Sequence, residues 1–372
     1  MKLMDILLTV LSAVVVLAFL VFIHEGGHFV AARAFGVRVT EFMIGLPGPS
    51  AGVKRGETTF GVTAIPLGGY ARVCGMEPGE MSPYLQAAMA SVYARGTALM
   101  EDVARDCGIS DDEAYEALEE LVEWGTVTGP KKTDEYNVYR TPGFKPTGRM
   151  RRKALQAGIV APTYAEGQPR PLENPAESFK REYSQQYRSL PFWKRSVILV
   201  AGPGVNLLFA ILAFVLIYSV IGFDYQDAAT GDVSHITVSP LRAIQAGFMY
   251  IGMVVQAVAG LFNPQTAAET VSQSTSVVGI AVMSRSAFEA GLTDALFFTA
   301  MLSVSLGIMN LLPIPPLDGG KFVIELYQRI RRKVVSLRAV NYISWAGVAL
   351  FTLFFIIMMN QDIQRFVFGN WS

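Results

Sequence analysis

The sequence predicts a polytopic α-helical membrane protein with four transmembrane helices, a small membrane-associated β region and a cytoplasmic α+β insert. Three observations predict this fold class. Hydrophobic residues make up 51% of the 372 residues and charged residues only 17%, below the roughly 25% that is typical of soluble domains. Four apolar runs are long enough to span a bilayer, which takes about 20 residues. The Lys and Arg residues are also distributed unevenly between these runs.

The four predicted spans cover about residues 3–23, 196–222, 292–316 and 340–359. We interpret the first as a retained membrane anchor, because its apolar stretch is long and no small-residue cleavage site follows it. A further apolar stretch, 241–262, is hydrophobic enough to cross as well. We interpret it as an amphipathic helix on the extracytoplasmic side of the membrane.

The basic residues predict the orientation, because Lys and Arg accumulate in cytoplasmic connections. Residues 29–195 contain 21 of them and the short connection 321–338 contains six, whereas 223–291 contains two. Both basic segments are therefore expected in the cytoplasm and both termini outside. We expect a multi-pass protein of the inner (plasma) membrane, with membrane lipid as one of its partners.

The chain divides into six predicted segments. They are 1–81, with the first span and the β region; 82–141, the insert; 142–195, a cytoplasmic linker; 196–222, the second span; 223–291, the extracytoplasmic segment; and 292–372, with the last two spans. In the first segment, 37–45 and 57–73 alternate apolar and polar residues, which predicts strands.

The insert resembles a winged-helix module in the order of its predicted elements, three helices followed by a β-hairpin over 126–141. We expect Thr97 to cap the second helix, and Ser110 with Glu113 to form a capping box at the start of the third. That third helix carries seven carboxylates and no Lys or Arg. Since phosphate contacts need cations, we expect no nucleic-acid binding and favour a cytoplasmic protein partner.

The stretch "HEGGH" carries the candidate chemistry. A charged residue at the bilayer centre costs roughly 2.5 to 3.5 kcal/mol on insertion scales, so His24, Glu25 and His28 at the end of the first span indicate a function. Residues i and i+4 share a helix face, so both imidazoles can reach one metal ion. Zinc suits such a ligand set, and Glu25 can hold a water molecule and take its proton. The alternative is a pair of histidines that bond to neighbouring helices.

A third ligand decides between these alternatives. His235 is expected to be an ordinary solvated histidine of the outer loop, and the two cysteines, Cys74 and Cys107, show no metal-site spacing. Asp318 lies at the depth of His24 and His28 if the third span runs inward. That direction requires 241–262 not to cross the membrane, which agrees with the distribution of the basic residues.

Four motifs together resemble the site-2 protease family of intramembrane zinc metalloproteases: "HEGGHF", "AIPLGGY", "PFWKRSVILVAGPGVNLLFA" and "NLLPIPPLDGG". The bacterial regulator-of-sigma protease branch is the most similar. The resemblance implies a Zn²⁺ site formed by His24, His28 and Asp318, with Glu25 as the catalytic residue. It also implies that Asn206 helps to hold the substrate strand, although a helix–helix hydrogen bond is the simpler role for an asparagine there.

The resemblance further implies that strands within 39–73 receive the substrate as an added strand, which would satisfy its unwound backbone. The sequence departs from the family in two places. Family members carry one or two PDZ domains after the second span, and residues 223–240 are too few for one. The insert at 82–141 has no counterpart in the family pattern.

We therefore expect a zinc endopeptidase that cuts within or near the transmembrane helix of a membrane protein, such as an anti-sigma factor or a remnant signal peptide, in regulated intramembrane proteolysis. The rival hypothesis is a non-catalytic membrane regulator that works through its insert. The intact Glu25 argues against the rival, because a structural metal site needs ligands but no base.

Overall fold

Most of the chain is helical in this computed structural model, which describes residues 3–65, 68–76, 79–146, 148–226 and 232–368. The predicted motif at 64–70 falls partly outside the described residues, since Pro66 and Leu67 are not among them. The helices are α1 (Leu3–Ala34), α2 (Leu85–Arg95), α3 (Met100–Cys107), α4 (Asp111–Glu123), α5 (Gly148–Gln156), α6 (Pro175–Tyr183), α7 (Phe192–Val215), α8 (Pro240–Gly260), α9 (Ala267–Gln273), α10 (Val277–Ala290), α11 (Leu292–Asn310), α12 (Asp318–Arg331) and α13 (Leu337–Asp362).

Five of the described helices are long and apolar enough to cross a membrane: α1, α7 with its π-helical extension to Ile221, α8, α11 and α13 with its extension. The protein is therefore a multi-pass membrane protein. Four of the five coincide with the predicted spans, and α8 is the stretch that we expected to lie on the membrane. Length and composition admit α8 as a fifth span, so the number of crossings stays a prediction.

Helix α7 is the centre of the helical bundle, and it runs antiparallel to both α1 and α11. Phe19 of α1 packs edge-on against Phe209 of α7, with ring centroids 5.1 Å apart. On the opposite side, Ser303 of α11 donates a hydrogen bond of 2.8 Å to the carbonyl of Asn206. Small residues at these crossings allow the backbones to approach closely, as is typical of helices packed in membranes.

The segments that flank α8 bond to the ends of α7 and α13 that lie away from the histidines. Before α8, the amide of Val238 donates to the carbonyl of Tyr218 at the end of α7. After α8, the chain reaches the far end of α13, where the amide of Ser276 donates to Asp362 over 2.6 Å. Helix α13 places Asp362 about 22 Å beyond Gly347, which packs against Pro315 next to the site.

A four-stranded sheet packs on α1 beside the histidines. Its strands are β1 (Val39–Ile44), β2 (Ser50–Arg55), β3 (Thr58–Thr63) and β4 (Gly69–Val73), in the order β2-β3-β1-β4. Strands β1 and β3 pair in parallel and the other pairs are antiparallel. Strand β4 is therefore an edge strand, and it is the strand nearest the histidines. The sequence did not predict β2, whose residues are all exposed and show no alternation.

The insert has its own core around Trp124 and Tyr139, both fully buried. The predicted capping box of Ser110 and Glu113 is confirmed. The prediction that Thr97 caps a helix is wrong: Thr97 lies in a strand, β5 (Thr97–Leu99), and α3 begins only at Met100. The predicted hairpin is reduced to one strand, β6 (Val138–Arg140), and a single bridge to Thr128, because β6 pairs with β5 instead. The resemblance to a winged-helix module stays a prediction.

The insert is attached to the sheet through the buried side chain of Arg38, which directly precedes β1. Its guanidinium donates to the carbonyl of Trp124 over 3.2 Å and to Glu182 of α6 over 2.8 Å. The amide of Gly75, after β4, donates to Glu123 of α4. The insert and the linker therefore contact one end of the antiparallel β1–β4 pair, the end where Val39 pairs with Val73.

The topology can be tested with single cysteines and a membrane-impermeant maleimide. We expect labelling from the extracytoplasmic side at positions 234 and 265, which flank α8, because a helix that lies on the membrane keeps both flanks on one side. We expect no labelling at positions 130 and 333, which lie in the segments predicted to be cytoplasmic. Mass spectrometry of intact cells or spheroplasts would detect the label.

Of the two native cysteines, only Cys107 has to be replaced, by serine, before the single cysteines are introduced. Burial raises the pKa of the Cys74 thiol to about 12, so Cys74 stays protonated and unreactive. Labelling at 234 but not at 265 would show that α8 crosses the membrane. Labelling at 130 from the extracytoplasmic side would show that the predicted orientation of the protein is wrong.

Candidate metal centre

Two histidines on one face of α1 form the first part of the site. Helix α1 continues without interruption to Ala34, so His24 and His28 are separated by one helical turn. Both side chains are buried, with 6% of each residue exposed, and their Nε2 atoms lie 3.3 Å apart. Gly27 faces α7, where a Cβ atom would lie 2.5 Å from the carbonyl oxygen of Ala201. Its hydrogen side chain lets the two helices approach closely.

Asp318, the first residue of α12, completes a group of three. The turn after α11 brings its carboxylate to the histidines, where Oδ2 lies 3.1 Å from Nε2 of His24 and 3.0 Å from Nε2 of His28. Asp318 is buried as well, with 7% exposed. In the described part of the chain, this is the one group of His, Cys, Asp or Glu side chains that is arranged to hold a metal ion.

The spacing of these atoms fits a tetrahedral zinc ion. Two ligands held at about 2.0 to 2.1 Å from one tetrahedral centre lie about 3.3 Å from each other. The three observed separations are 3.0, 3.1 and 3.3 Å. Two imidazole nitrogens and one carboxylate oxygen are also the ligand types that catalytic zinc sites use, with a fourth position open.

The side of each ligand that faces away from the group also has a partner. Nδ1 of His28 donates to the carbonyl of Ile198 over 2.7 Å, and Nζ of Lys321 donates to Oδ1 of Asp318 over 3.3 Å. The side-chain nitrogen Nδ2 of Asn206 lies 3.4 Å from Nδ1 of His24. Such partners orient metal ligands and set the tautomer of the imidazoles.

Gly202 of α7 provides the space in which the imidazoles meet. A Cβ atom on Gly202 would lie 2.3 Å from Nε2 of His28 and 2.9 Å from Nε2 of His24. Carbon and nitrogen atoms that are not bonded cannot approach so closely. Glycine is therefore required at this position for the two histidines to turn towards a common point.

Glu25 lies beside the three ligands and contacts the sheet. Its Oε2 accepts a hydrogen bond of 2.9 Å from the backbone amide of Ala71 in β4. Ala71 pairs with Phe42 of β1, and its N–H points to the open edge of the sheet. The open edge of β4 therefore passes directly along Glu25.

A cleft of about 950 Å³ adjoins the site. Its walls come from β4, α12 and the start of α13, together with Glu123 of the insert and Tyr187 of the linker. Ala71 and Lys321, which bond to Glu25 and Asp318, are among the residues that line it. A volume near 1,000 Å³ is at the upper end of typical ligand-binding clefts.

His235 takes no part in the site. It lies in β8 (Val233–Ile236), which forms a hairpin with β7 (Phe223–Gln226) after the π-helical end of α7. It is exposed, and its Nδ1 lies 2.8 Å from Asp224. This hydrogen bond raises the pKa of His235 above its usual value.

Comparison with known proteins places the chain in a family. The family model for peptidase family M50 matches residues 12–354, a range that includes all five candidate site residues. The chain belongs to peptidase family M50. The match confirms the predicted family, which is also known as the site-2 proteases.

Several relatives match over nearly their whole length. A protein of Campylobacter jejuni described as a zinc metalloprotease is 26% identical over 385 residues, which cover 96% of this chain and 94% of the relative. The regulator of sigma-W protease RasP of Bacillus subtilis is 23% identical, with 96% and 98% covered. The zinc metalloprotease RasP of Geobacillus kaustophilus is 22% identical, with 96% and 98% covered.

These comparisons establish the enzyme class. The protein is a zinc-dependent metalloprotease of the site-2 type, and its cofactor is Zn²⁺. The predicted class and cofactor are therefore confirmed. The roles of the individual residues stay predictions. The structure adds four groups to which the sequence gave no role at the site: the carbonyl of Ile198, Gly202, Lys321 and the backbone amide of Ala71.

The role of Gly202 can be tested with one added methyl group. Gly202→Ala is expected to bind much less than one zinc ion per chain, because the methyl group would occupy the space where the imidazoles meet. The helix itself should tolerate the change, since alanine favours a helix over glycine by about 1 kcal/mol. Elemental analysis of the purified protein measures the zinc.

Gly204→Ala is the matched control. It makes the same change two residues away on α7, at a position where a Cβ atom meets nothing within 4 Å, and it should keep its zinc. A Gly202→Ala protein that binds one zinc ion per chain would show that the imidazoles of His24 and His28 do not pack against Gly202 when they bind the metal.

Proposed function

We propose that His24, His28 and Asp318 hold the zinc ion and that Glu25 is the general base for hydrolysis of a peptide bond within or near the transmembrane helix of a substrate. The convergence of the three buried ligand atoms within 3.3 Å of one another carries this proposal. They come from two parts of the chain 290 residues apart. A set of buried ionisable groups at membrane depth indicates function rather than stability.

Bound zinc supplies a Lewis acid that polarises the scissile carbonyl and acidifies the attacking water. Glu25 stands beside the ligands on the same helix, where its carboxylate takes the proton of the water as the oxygen attacks the carbonyl carbon. The same carboxyl group then gives this proton to the nitrogen of the breaking C–N bond. The products are a new carboxyl group and a new amino group, and Glu25 returns to its starting state.

The open edge of β4 is the proposed binding site for the substrate backbone. A peptide bond within a helix is shielded, so the substrate must unwind, and its freed N–H and C=O groups then need partners. A strand added to β4 would find them. Because the amide of Ala71 bonds to Glu25, a strand on this edge would pass the general base. The adjoining cleft of about 950 Å³ would receive the flanking residues of the substrate.

The four-span topology, with the site near the cytoplasmic side of the plasma membrane and both termini outside, is part of the proposal. It is supported by the segments that flank α8: Val238, just before the helix, and Ser276, beyond α9, bond to the ends of α7 and α13 that are farthest from the histidines. A helix whose flanking segments both lie on one side of the membrane would lie on the membrane surface. Membrane lipid would then cover the exposed apolar face of α8, which includes Phe248, Met249 and Met253.

The substrate class is proposed as membrane proteins with a single cleavable helix, such as an anti-sigma factor or a remnant signal peptide. The name of the Bacillus relative, a regulator of sigma-W protease, supports this class.

The acidic insert would contact a cytoplasmic protein and not nucleic acid. The rival function, a non-catalytic regulator, lacks support because Glu25 is retained and is oriented by Ala71.

Glu25→Gln tests the mechanism. Glutamine keeps the size of the side chain but cannot accept a proton at neutral pH. The loss of a general base typically lowers a rate by about 10² to 10⁴, which corresponds to roughly 3 to 5 kcal/mol of barrier. The variant should keep its zinc, because Glu25 is not a ligand. Mass spectrometry of membrane fractions should find cleaved transmembrane fragments with the wild-type enzyme only.

Glu173→Gln is the control, since it makes the same change at an exposed position of the linker. It should yield the wild-type fragments. If a zinc-loaded Glu25→Gln enzyme produced those fragments at a near-wild-type rate, Glu25 would not be the base.

A further inference from the structure

Asn206 lies behind the metal ligands, and its own partners are incomplete. Its side chain is fully buried, with 0% of the residue exposed. Nδ2 lies 3.4 Å from Nδ1 of His24, while Oδ1 has no hydrogen-bond partner among the described residues. A buried amide oxygen without a partner is unfavourable, because it has lost its hydrogen bonds to water. The arrangement therefore calls for an explanation.

We propose that Asn206 is a positioning residue for the zinc ligand His24, whose Nδ1–H it accepts through Oδ1. A half-turn of the amide about its Cβ–Cγ bond exchanges the two terminal atoms and places Oδ1 at Nδ1 of His24. This one rotation gives Oδ1 a donor and moves Nδ2 to the former place of Oδ1. It leaves the rest of α7 unchanged, because the backbone carbonyl of Asn206 is held separately by Ser303.

The zinc ion requires this orientation. A neutral imidazole carries one proton, and the nitrogen that binds a metal must be the other one. Nε2 of His24 faces Asp318 and His28, so the proton belongs on Nδ1. If Nδ2–H of Asn206 donated to Nδ1 of His24, Nδ1 would have to be the unprotonated nitrogen. The proton of the imidazole would then sit on Nε2, the nitrogen that is to bind the metal. Only Oδ1 at this position is compatible with a bound metal.

His28 shows the same arrangement already in place. Its Nδ1 donates to the carbonyl of Ile198 over 2.7 Å, which fixes its Nε2 as the ligand atom. Ile198, Gly202 and Asn206 follow one another at intervals of four residues and form one row on α7. In this row, Ile198 accepts from His28, Gly202 makes room for both rings, and Asn206 accepts from His24.

This role differs from the one that the family resemblance implies. A residue that only holds the substrate strand would leave the metal affinity unchanged when it is replaced. A residue that fixes a ligand tautomer changes the metal affinity without any substrate, because outer partners of metal ligands are typically worth about 10- to 100-fold in affinity. The inference rests on the proposed zinc site but not on the proposed cleavage reaction.

The test measures metal affinity in the purified full-length protein by competition with a chelator, using Zn²⁺ and Co²⁺. Asn206→Leu, which has nearly the same size and no acceptor, should bind about 10- to 100-fold more weakly and should alter the visible absorption bands of bound Co²⁺. Asn206→Asp keeps an acceptor oxygen and should restore most of the affinity. Ser303→Ala removes a polar contact in the same turn of α7 and should match the wild type.

Wild-type affinity and an unchanged Co²⁺ spectrum in Asn206→Leu would overturn the proposal. If that variant does not fold, Asn206→Ser tests the same bond, because its hydroxyl is too short to reach His24, and the same loss is expected. A wild-type protein that bound no metal would instead refute the zinc site itself. The two failures can therefore be told apart.

Discussion

The close packing of α1 against α7 is the constraint on which the rest of the site depends. Gly27 brings α1 to the backbone of α7 at Ala201, and Gly202 leaves the space in which His24 and His28 turn towards one point. With a larger residue at either position, the helices would separate. The Nε2 atoms of the two histidines would then no longer converge on one point beside Asp318. Two hydrogen side chains therefore determine the geometry of the metal centre.

The same packing stabilises polar groups in a setting that otherwise disfavours them. Buried polar groups need partners because water cannot replace a missing hydrogen bond there. Helix α7 supplies the carbonyl of Ile198 to His28, α12 supplies Lys321 to Asp318, and β4 supplies the amide of Ala71 to Glu25. Each of these elements thus contributes a group that orients a side chain of the site, which is how a site is preorganised before the substrate arrives.

The sequence could predict what depends on local spacing. The interval of four residues between His24 and His28 predicted a shared helix face, and the Ser110 capping box was readable for the same reason. Asp318 was inferred from its depth along a predicted span. The contribution of Gly202 and the amide of Ala71 could not be predicted, because each acts on a residue far away in the chain and neither carries a distinctive side chain. Thr97 was misassigned because its strand pairs with β6, about forty residues later.

X-ray absorption at the zinc edge of the purified wild-type protein tests the central claim most directly, since it reports which atoms surround the metal. We expect only nitrogen and oxygen ligands at about 2.0 to 2.1 Å, with the multiple-scattering signature of two imidazoles. His235→Ala should leave the spectrum unchanged. A sulfur shell at about 2.3 Å, or a spectrum without imidazole, would contradict a centre built from His24, His28 and Asp318.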